Sequence, residues 1–303
     1  MKIAIASSST LALPTISTLG EAGYSIVGII TNPDKPSGRG RTITPNALAQ
    51  EMSQFSFPLL KPATHHELAT IVTELSPDLV ITIAYGRIVR SESLVIPRLG
   101  WINLHFSLLP AYRGAAPVQR AILDGATQTG VSVFQLDAGM DTGDIYATQA
   151  VAIEENETSG ELLSRLAPIG AELLLTALKL IEKGIEATPQ PSEGASLAPK
   201  IEVSEARIDW NSGTSKVHSK IRAMTPEPGA WTLLNGHRYI IGRSRKYSEK
   251  LMPGEIRTHQ DQLLIGTGDG SISVQELQPS GKRMMSSVDW LRGARIDRNS
   301  RFE

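Results

Sequence analysis

The chain has 303 residues with 30 Lys+Arg, 31 Asp+Glu and no cysteine. That balance excludes disulfides, thiolate metal sites and cysteine nucleophiles, and argues against a generic polyanion binder. Its length favours two domains, the 41% apolar content suits a buried core, and no stretch reaches the roughly 20 apolar residues of a membrane span. The opening apolar run in MKIAIASSST is too short for a signal peptide, so a cytoplasmic protein is expected.

In chain order, apolar runs at 2–7, 24–31, 57–60, 79–84 and 100–105 predict buried strands. Helical patterns at 10–23, 45–53 and 64–75 lie between them. The alternation predicts an α/β, Rossmann-like domain: a mostly parallel sheet covered on both faces, with ligands bound beyond the strands' carboxyl ends. The loop Ser7-Ser8-Ser9-Thr10 lacks GxGxxG, so no dinucleotide site is expected.

The fifth strand ends in Asn103-Leu104-His105, which places Asn103 and His105 on one face. A loop with Pro110 and Gly114, a helix at 115–123 and a strand at 130–136 follow, then a loop holding Asp137, Asp141 and Asp144. An amide, an imidazole and a carboxylate at strand ends suit acyl transfer. Taken singly, a strand-end histidine or a turn aspartate is more often structural, and spacing leaves the carboxylate undecided. With no serine–histidine pairing signal and no metal-ligand spacing, the nucleophile is expected from the substrate and no metal is expected.

A helix at 158–183 carries a stripe of Leu162, Leu163, Leu166, Ile169, Leu173 and Leu174, and Gly184 closes it. Residues 187–200, ATPQPSEGASLAPK, read as an interdomain linker. The expected division is therefore a domain at 1–186, a linker at 187–202 and a second domain at 203–303. In the latter, a helix at 212–224 precedes short strands at 231–234, 238–242, 263–267 and 271–277. Asn235-Gly236 and Gly268-Asp269-Gly270 are hairpin turns, and the pattern predicts a small β-barrel. Residues 203–303 hold 16 Lys+Arg against 11 Asp+Glu, a mildly basic balance compatible with nucleic acid.

The block Asn103-x-His105-x-Ser107-Leu108-Leu109-Pro110, with Arg113-Gly114 and Asp141-Thr142-Gly143-Asp144, resembles the 10-formyltetrahydrofolate-dependent formyltransferases. Thr31-Asn32-Pro33-Asp34-Lys35-Pro36-Ser37-Gly38-Arg39-Gly40 and Glu205-Ala206-Arg207-Ile208-Asp209-Trp210 are similar to segments of the family's tRNA-specific branch. The likeness continues to Leu277-Gln278-Pro279-Ser280-Gly281-Lys282 and covers nearly the whole chain.

The resemblance implies an N-terminal formyltransferase domain, an oligonucleotide-binding-type barrel, and formyl transfer from 10-formyltetrahydrofolate to methionine on initiator tRNA. It implies a catalytic Asn103, His105 and Asp141, with Asp141 keeping His105 charged and oriented. Folate contacts are expected at Ser107, Leu108, Leu109 and Pro110, and along Ala84, Tyr85, Gly86 and Asp137. The 32–46 segment is long for a βα connection, where about 2–6 residues are usual. It carries Lys35, Arg39 and Arg41 against Asp34. Arg39 above all, with Lys35 and Arg41, is expected to meet tRNA, and Lys216, Lys220 and Arg222 to contact phosphates. A monomer is expected.

This sequence departs from the family where Ser7-Ser8-Ser9-Thr10 replaces a glycine-threonine-proline loop. Rival readings are formyl transfer to an amino-sugar nucleotide or a glycinamide ribonucleotide, formyl hydrolysis, and a catalytically silent RNA-binding protein. The 31–40 insertion counts against the first two, nothing resembles the hydrolase's regulatory domain, and the intact Asn103, His105 and Asp141 oppose the last.

Overall fold

The structure is a computed structural model describing all residues except 38–41, 295 and 297–299. It divides into two compact units. One comprises residues 1–117, 129–151 and 163–198, and the other 118–128, 152–162 and 199–303.

The first unit is built on strands β1 (Lys2–Ser7), β2 (Ser25–Ile30), β5 (Leu59–Leu60), β6 (Leu79–Ile83), β7 (Trp101–His105), β8 (Gln128–Gln135) and β9 (Ile145–Ala152). They form one sheet in the order β5-β2-β1-β6-β7-β8-β9. The strands from β5 to β7 are parallel, and β8 runs antiparallel to β7. A short hairpin, β3 (Lys35–Ser37) and β4 (Thr42–Thr44), stands apart. Helices α1 (Leu13–Glu21), α2 (Ala47–Glu51), α3 (His65–Leu75) and α4 (Ser91–Leu94) belong to the same unit.

The chain leaves β1 toward β2 and returns to its other side as β6, so a topological switch point lies between β1 and β6. A ligand crevice is expected at such a point, beyond the carboxyl ends. β1 and β6 are almost wholly apolar and buried because helices cover both faces of a parallel sheet. Local chemistry sets the helix ends. Thr64 caps α3 by accepting from the Glu67 amide at 3.1 Å, and Asn46 caps α2 through Ala49 N at 3.0 Å.

Residues from 163 onward of α6 (Ser159–Glu182) also fall in the first unit, whereas most of α5 (Pro117–Leu123) falls in the second. The second unit holds α7 (Thr214–Met224), α8 (Ser287–Gly293) and two antiparallel four-stranded sheets. One contains β10 (Ala230–Leu234), β11 (His237–Ile241), β16 (Glu276–Pro279) and β17 (Met285–Ser286). The other contains β12 (Ser244–Tyr247), β13 (Ile256–His259), β14 (Gln262–Gly266) and β15 (Ser271–Val274). A shared core of Trp210, Ile221, Met224, Ile265, Leu277 and Phe302 fills it. Gly213, the N-cap of α7, has no side chain, and Asp269 supplies the cap by accepting from Thr214 N at 2.7 Å. That bond gives the Gly268-Asp269-Gly270 turn a second task.

The elements that sequence periodicity missed are β3, β4, β9, β12, β13, β17, α4 and α8, and the single strand expected at 271–277 is divided between β15 and β16. Strands β9, β12 and β13 lie at sheet edges and carry many exposed polar residues, so the apolar alternation is weak there.

Candidate active site

Parallel pairing of β6 with β7 sets Thr82 beside Asn103. The Thr82 hydroxyl donates to Asn103 Oδ1 at 2.7 Å. This fixes the carboxamide with Oδ1 committed, and its Nδ2 makes no hydrogen bond among the described residues. Two residues on, the His105 ring is buried at 5% exposure. Its Nε2–H donates to the Tyr112 carbonyl at 2.9 Å, because a carbonyl can only accept. Nδ1 therefore faces Asp141, whose Oδ2 lies 3.7 Å away. The same oxygen accepts from Gly114 N at 2.7 Å.

Burial pushes the His105 imidazole below its ordinary value, against the Asp141 carboxylate and the Tyr112 carbonyl, which pull it up. Burial thus opposes the expectation that Asp141 keeps His105 charged, because desolvation penalises the imidazolium and the carboxylate lies 3.7 Å away.

The Asp141 loop is shaped by its own residues. Asp137 Oδ1 accepts from Gly139 N and from the Thr142 hydroxyl, both at 2.9 Å. Gly143 is required because a Cβ there would lie 1.8 Å from the Gln135 carbonyl oxygen. Asp141 has φ 54° and Tyr112 φ 61°, both in the left-handed region. Non-glycine residues held there cost on the order of 1–3 kcal/mol unless their surroundings compensate.

Residues 188–198, expected as part of a linker, carry such compensation. Tyr112 N donates to Ser196 Oγ at 2.9 Å and Arg113 N to Ser196 O at 2.9 Å. Gln190 Nε2 donates to the carbonyls of Asp141 and Gly143 at 2.9 and 2.8 Å. Within the first unit this stretch is hydrogen-bonded structure.

Two family models match the chain: "Formyl transferase" over residues 1–178 and "Formyl transferase, C-terminal domain" over residues 200–295. The chain belongs to the formyl transferase family. It is similar to the methionyl-tRNA formyltransferase of Acidothermus cellulolyticus, at 42% identity over 100% of both chains. Among solved structures it is similar in fold to HypX from Aquifex aeolicus in complex with tetrahydrofolic acid. There the TM-score is 0.72 and the identity 19%, over 96% of this chain and 46% of that one. It therefore spans about half the length of HypX. The methionyl-tRNA formyltransferase from Clostridium thermocellum matches with a TM-score of 0.59 and 18% identity, over 82% of this chain and 94% of that one.

Within this formyl transferase, Asn103 and His105 share β7 as their spacing led one to expect, and the carboxylate beside His105 is that of Asp141, the one the resemblance implies. The expected folate residues divide. Ser107, Leu109 and Pro110 are buried. The Ser107 hydroxyl is spent on Ala111 O at 2.6 Å, so this loop can meet a ligand through its main chain and through half-buried Leu108. Ala84, Gly86 and Asp137 are exposed, whereas Tyr85 is buried at 4% with its hydroxyl unpartnered.

Ile88 and Met140, 77% and 62% exposed, are apolar side chains in the loops that follow β6 and β8. Among the described residues no group of three or more His, Asp or Glu could hold a metal ion, and no helix is long and apolar enough to cross a membrane.

The cations expected to face tRNA divide as well. Lys35 and Lys216 are exposed, and Arg39 and Arg41 lie outside the described residues. At the root of that loop, Lys61 Nζ meets Asp34 Oδ1 at 2.6 Å. Arg222 is a correction. It is 8% exposed and donates to the carbonyls of Glu154 and Glu157 at 3.3 and 3.2 Å. Lys220 is half-buried and donates through Nζ to the carbonyls of Glu205 and Arg207 at 2.9 and 3.1 Å.

A further pair of cations lies over one aromatic ring in the second unit. Arg238 and Arg207 set their guanidinium carbons 4.6 and 5.5 Å from the centre of the Trp231 ring. Trp231 lies on the outer face of β10, and strand alternation marks that face. The pairing with Arg207 was not legible, since it needs the isolated bridge between residues 207 and 231. Gln190 and Thr82 were missed for the same reason, as neither sits in a local motif.

Proposed function

We propose that this chain transfers the formyl group of 10-formyltetrahydrofolate to the α-amino group of methionine on initiator tRNA, yielding N-formylmethionyl-tRNA for translation in the cytoplasm. The observation that carries this reading is the 42% identity, end to end, with a methionyl-tRNA formyltransferase. The placement of Asn103 and His105 at the carboxyl end of β7, with Asp141 beside His105, supports it.

In the reaction one bond forms between the amine nitrogen and the formyl carbon, the bond from that carbon to N10 breaks, and one proton passes from the amine to N10. Asn103 Nδ2, left free by the Thr82 bond, donates to the formyl oxygen as negative charge builds there. A preorganised donor of this kind contributes about 3 kcal/mol to transition-state stabilisation. His105 begins neutral, with Nε2–H held by Tyr112 O. Its Nδ1 takes up the proton that the amine sheds and returns it to the leaving nitrogen. Asp141 faces that nitrogen and stabilises the imidazolium while it lasts.

Folate is read by the main chain at residues 84–86, 107–110 and 137–141, with Ile88 and Met140 as apolar cover. Lys35, Arg39 and Arg41 of the 32–46 loop meet the acceptor end of the tRNA. Lys216, Arg207 and Arg238 supply phosphate contacts from the second unit.

The deciding experiment offers charged initiator tRNA, charged elongator tRNA and free methionine as competing acceptors with 10-formyltetrahydrofolate. Formyl is expected on the charged initiator tRNA, and Arg39→Ala should slow that reaction without weakening folate binding. Preferential formylation of free methionine or of an amino sugar would overturn the reading.

A further inference from the structure

We propose that Gln190 is a positioning residue for formyl transfer, its carboxamide locking the Asp141 loop to the Arg113-Gly114 turn so that Asp141 faces His105. The proposal rests on the roles given above to His105 and Asp141. Its support is the complete use of one side chain. A glutamine amide has two N–H donors and an oxygen with two lone pairs. Both donors go to carbonyls of the Asp141 loop, those of Asp141 and Gly143, at 2.9 and 2.8 Å. Both lone pairs are taken by Arg113, whose Nη2 and Nε donate to Oε1 at 2.7 and 3.1 Å.

One residue beyond Arg113, the Gly114 amide holds the Asp141 carboxylate at 2.7 Å. Gln190 therefore closes a ring: Arg113 to Gln190, Gln190 to the Asp141 main chain, the Asp141 side chain to Gly114. The anchor is itself fixed, since Thr188 exchanges two main-chain hydrogen bonds with Ile145 at 2.8 and 2.9 Å. Asp141 sits at φ 54°, a conformation that isolated chain rarely keeps, and the Gln190 donors grip its own carbonyl and that of Gly143, two residues on. Gln190 touches no reacting group, and its effect passes through the direction in which the Asp141 carboxylate points.

Two variants separate the halves of the clamp. Gln190→Leu removes it, whereas Gln190→Glu keeps an acceptor for Arg113 but turns an oxygen toward the Asp141 and Gly143 carbonyls. Amide hydrogen exchange at Gly114 and steady-state formylation of methionyl-tRNA are measured for both, beside thermal melting. Exchange at Gly114 should speed on the order of 10-fold, with Asn103 and His105 amides in β7 unchanged. The kcat should fall on the order of 10-fold to 100-fold, a typical loss for a catalytic group displaced by about an ångström. KM for tRNA and folate should stay within about 2-fold.

A Gln190→Glu protein with wild-type exchange at Gly114 and wild-type kcat overturns the proposal, as does a loss that appears in KM or melting alone. Absence of formylation by the wild-type chain would instead sink the functional reading, and the exchange data at Gly114 would still decide the role of Gln190.

Discussion

Tyr112 and Asp141 meet the two nitrogens of His105, and both hold left-handed backbone, at φ 61° and 54°. One turns a carbonyl to Nε2 and the other a carboxylate to Nδ1. Each is fixed from the 188–198 stretch, Tyr112 through Ser196 and Asp141 through Gln190. The imidazole is therefore oriented by residues whose strained backbones are held in place by one outer segment.

Thr82 orients Asn103. Thr82→Val keeps the shape but frees the carboxamide to rotate, and kcat should fall about 10-fold. Asn103→Ala removes the donor itself and should cost about 100-fold to 1000-fold. Formyl-transfer kinetics on the two variants check the order, and a Thr82→Val rate equal to wild type would remove the orienting role.

Burial lowers the pKa of His105, so its neutral form persists below pH 6.5. A reaction that starts from neutral His105 should hold its rate as pH falls through 6.5. A bell whose acidic limb lies above 6.5 would contradict the assignment. Asp141→Asn removes the charge that pulls the pKa up, so the acidic limb should move to still lower pH.

His218 is buried at 1% exposure and donates to the Ser244 carbonyl at 3.0 Å, and burial lowers its pKa to about 4. Below about pH 6.5 the unfolded chain takes up a proton that the native chain refuses. Stability should therefore fall as pH drops from about 6.5 to about 4, by up to about 3 kcal/mol from this group. His105 acts in the same direction. Denaturant titrations at pH 7.5, 6 and 5 check this, and His218→Gln should flatten the trend.

Arg222 and Arg238 should behave oppositely. Arg222→Ala strips the donors from two carbonyls and should destabilise the fold by about 2–4 kcal/mol, leaving the salt dependence of tRNA binding unchanged. Arg238→Ala loses a cation–π contact worth about 0.5–1 kcal/mol but should lower the salt slope by about 1. Thermal melting and binding across a salt series tell the two apart.

Much of this molecule is written in short-range pattern. The buried strands β1, β6 and β7, the α3 cap, and the shared face of Asn103 and His105 follow from local residue order. The glycine of the Asp141-Thr142-Gly143-Asp144 turn stood out as a motif, and the close approach to Gln135 O gives its cause. The family likeness of these motifs implies formyl transfer from local residue order alone.

Tertiary structure decided what depends on distant partners. Thr82 meets Asn103 through sheet register, and Gln190 meets Asp141 across 49 positions of chain. Arg222 looked like a surface cation, yet it is buried against the carbonyls of Glu154 and Glu157. The proton state of His105 was likewise beyond local pattern. A sequence names the carboxylate beside a histidine, but the balance between that charge and desolvation is set by everything that keeps water out.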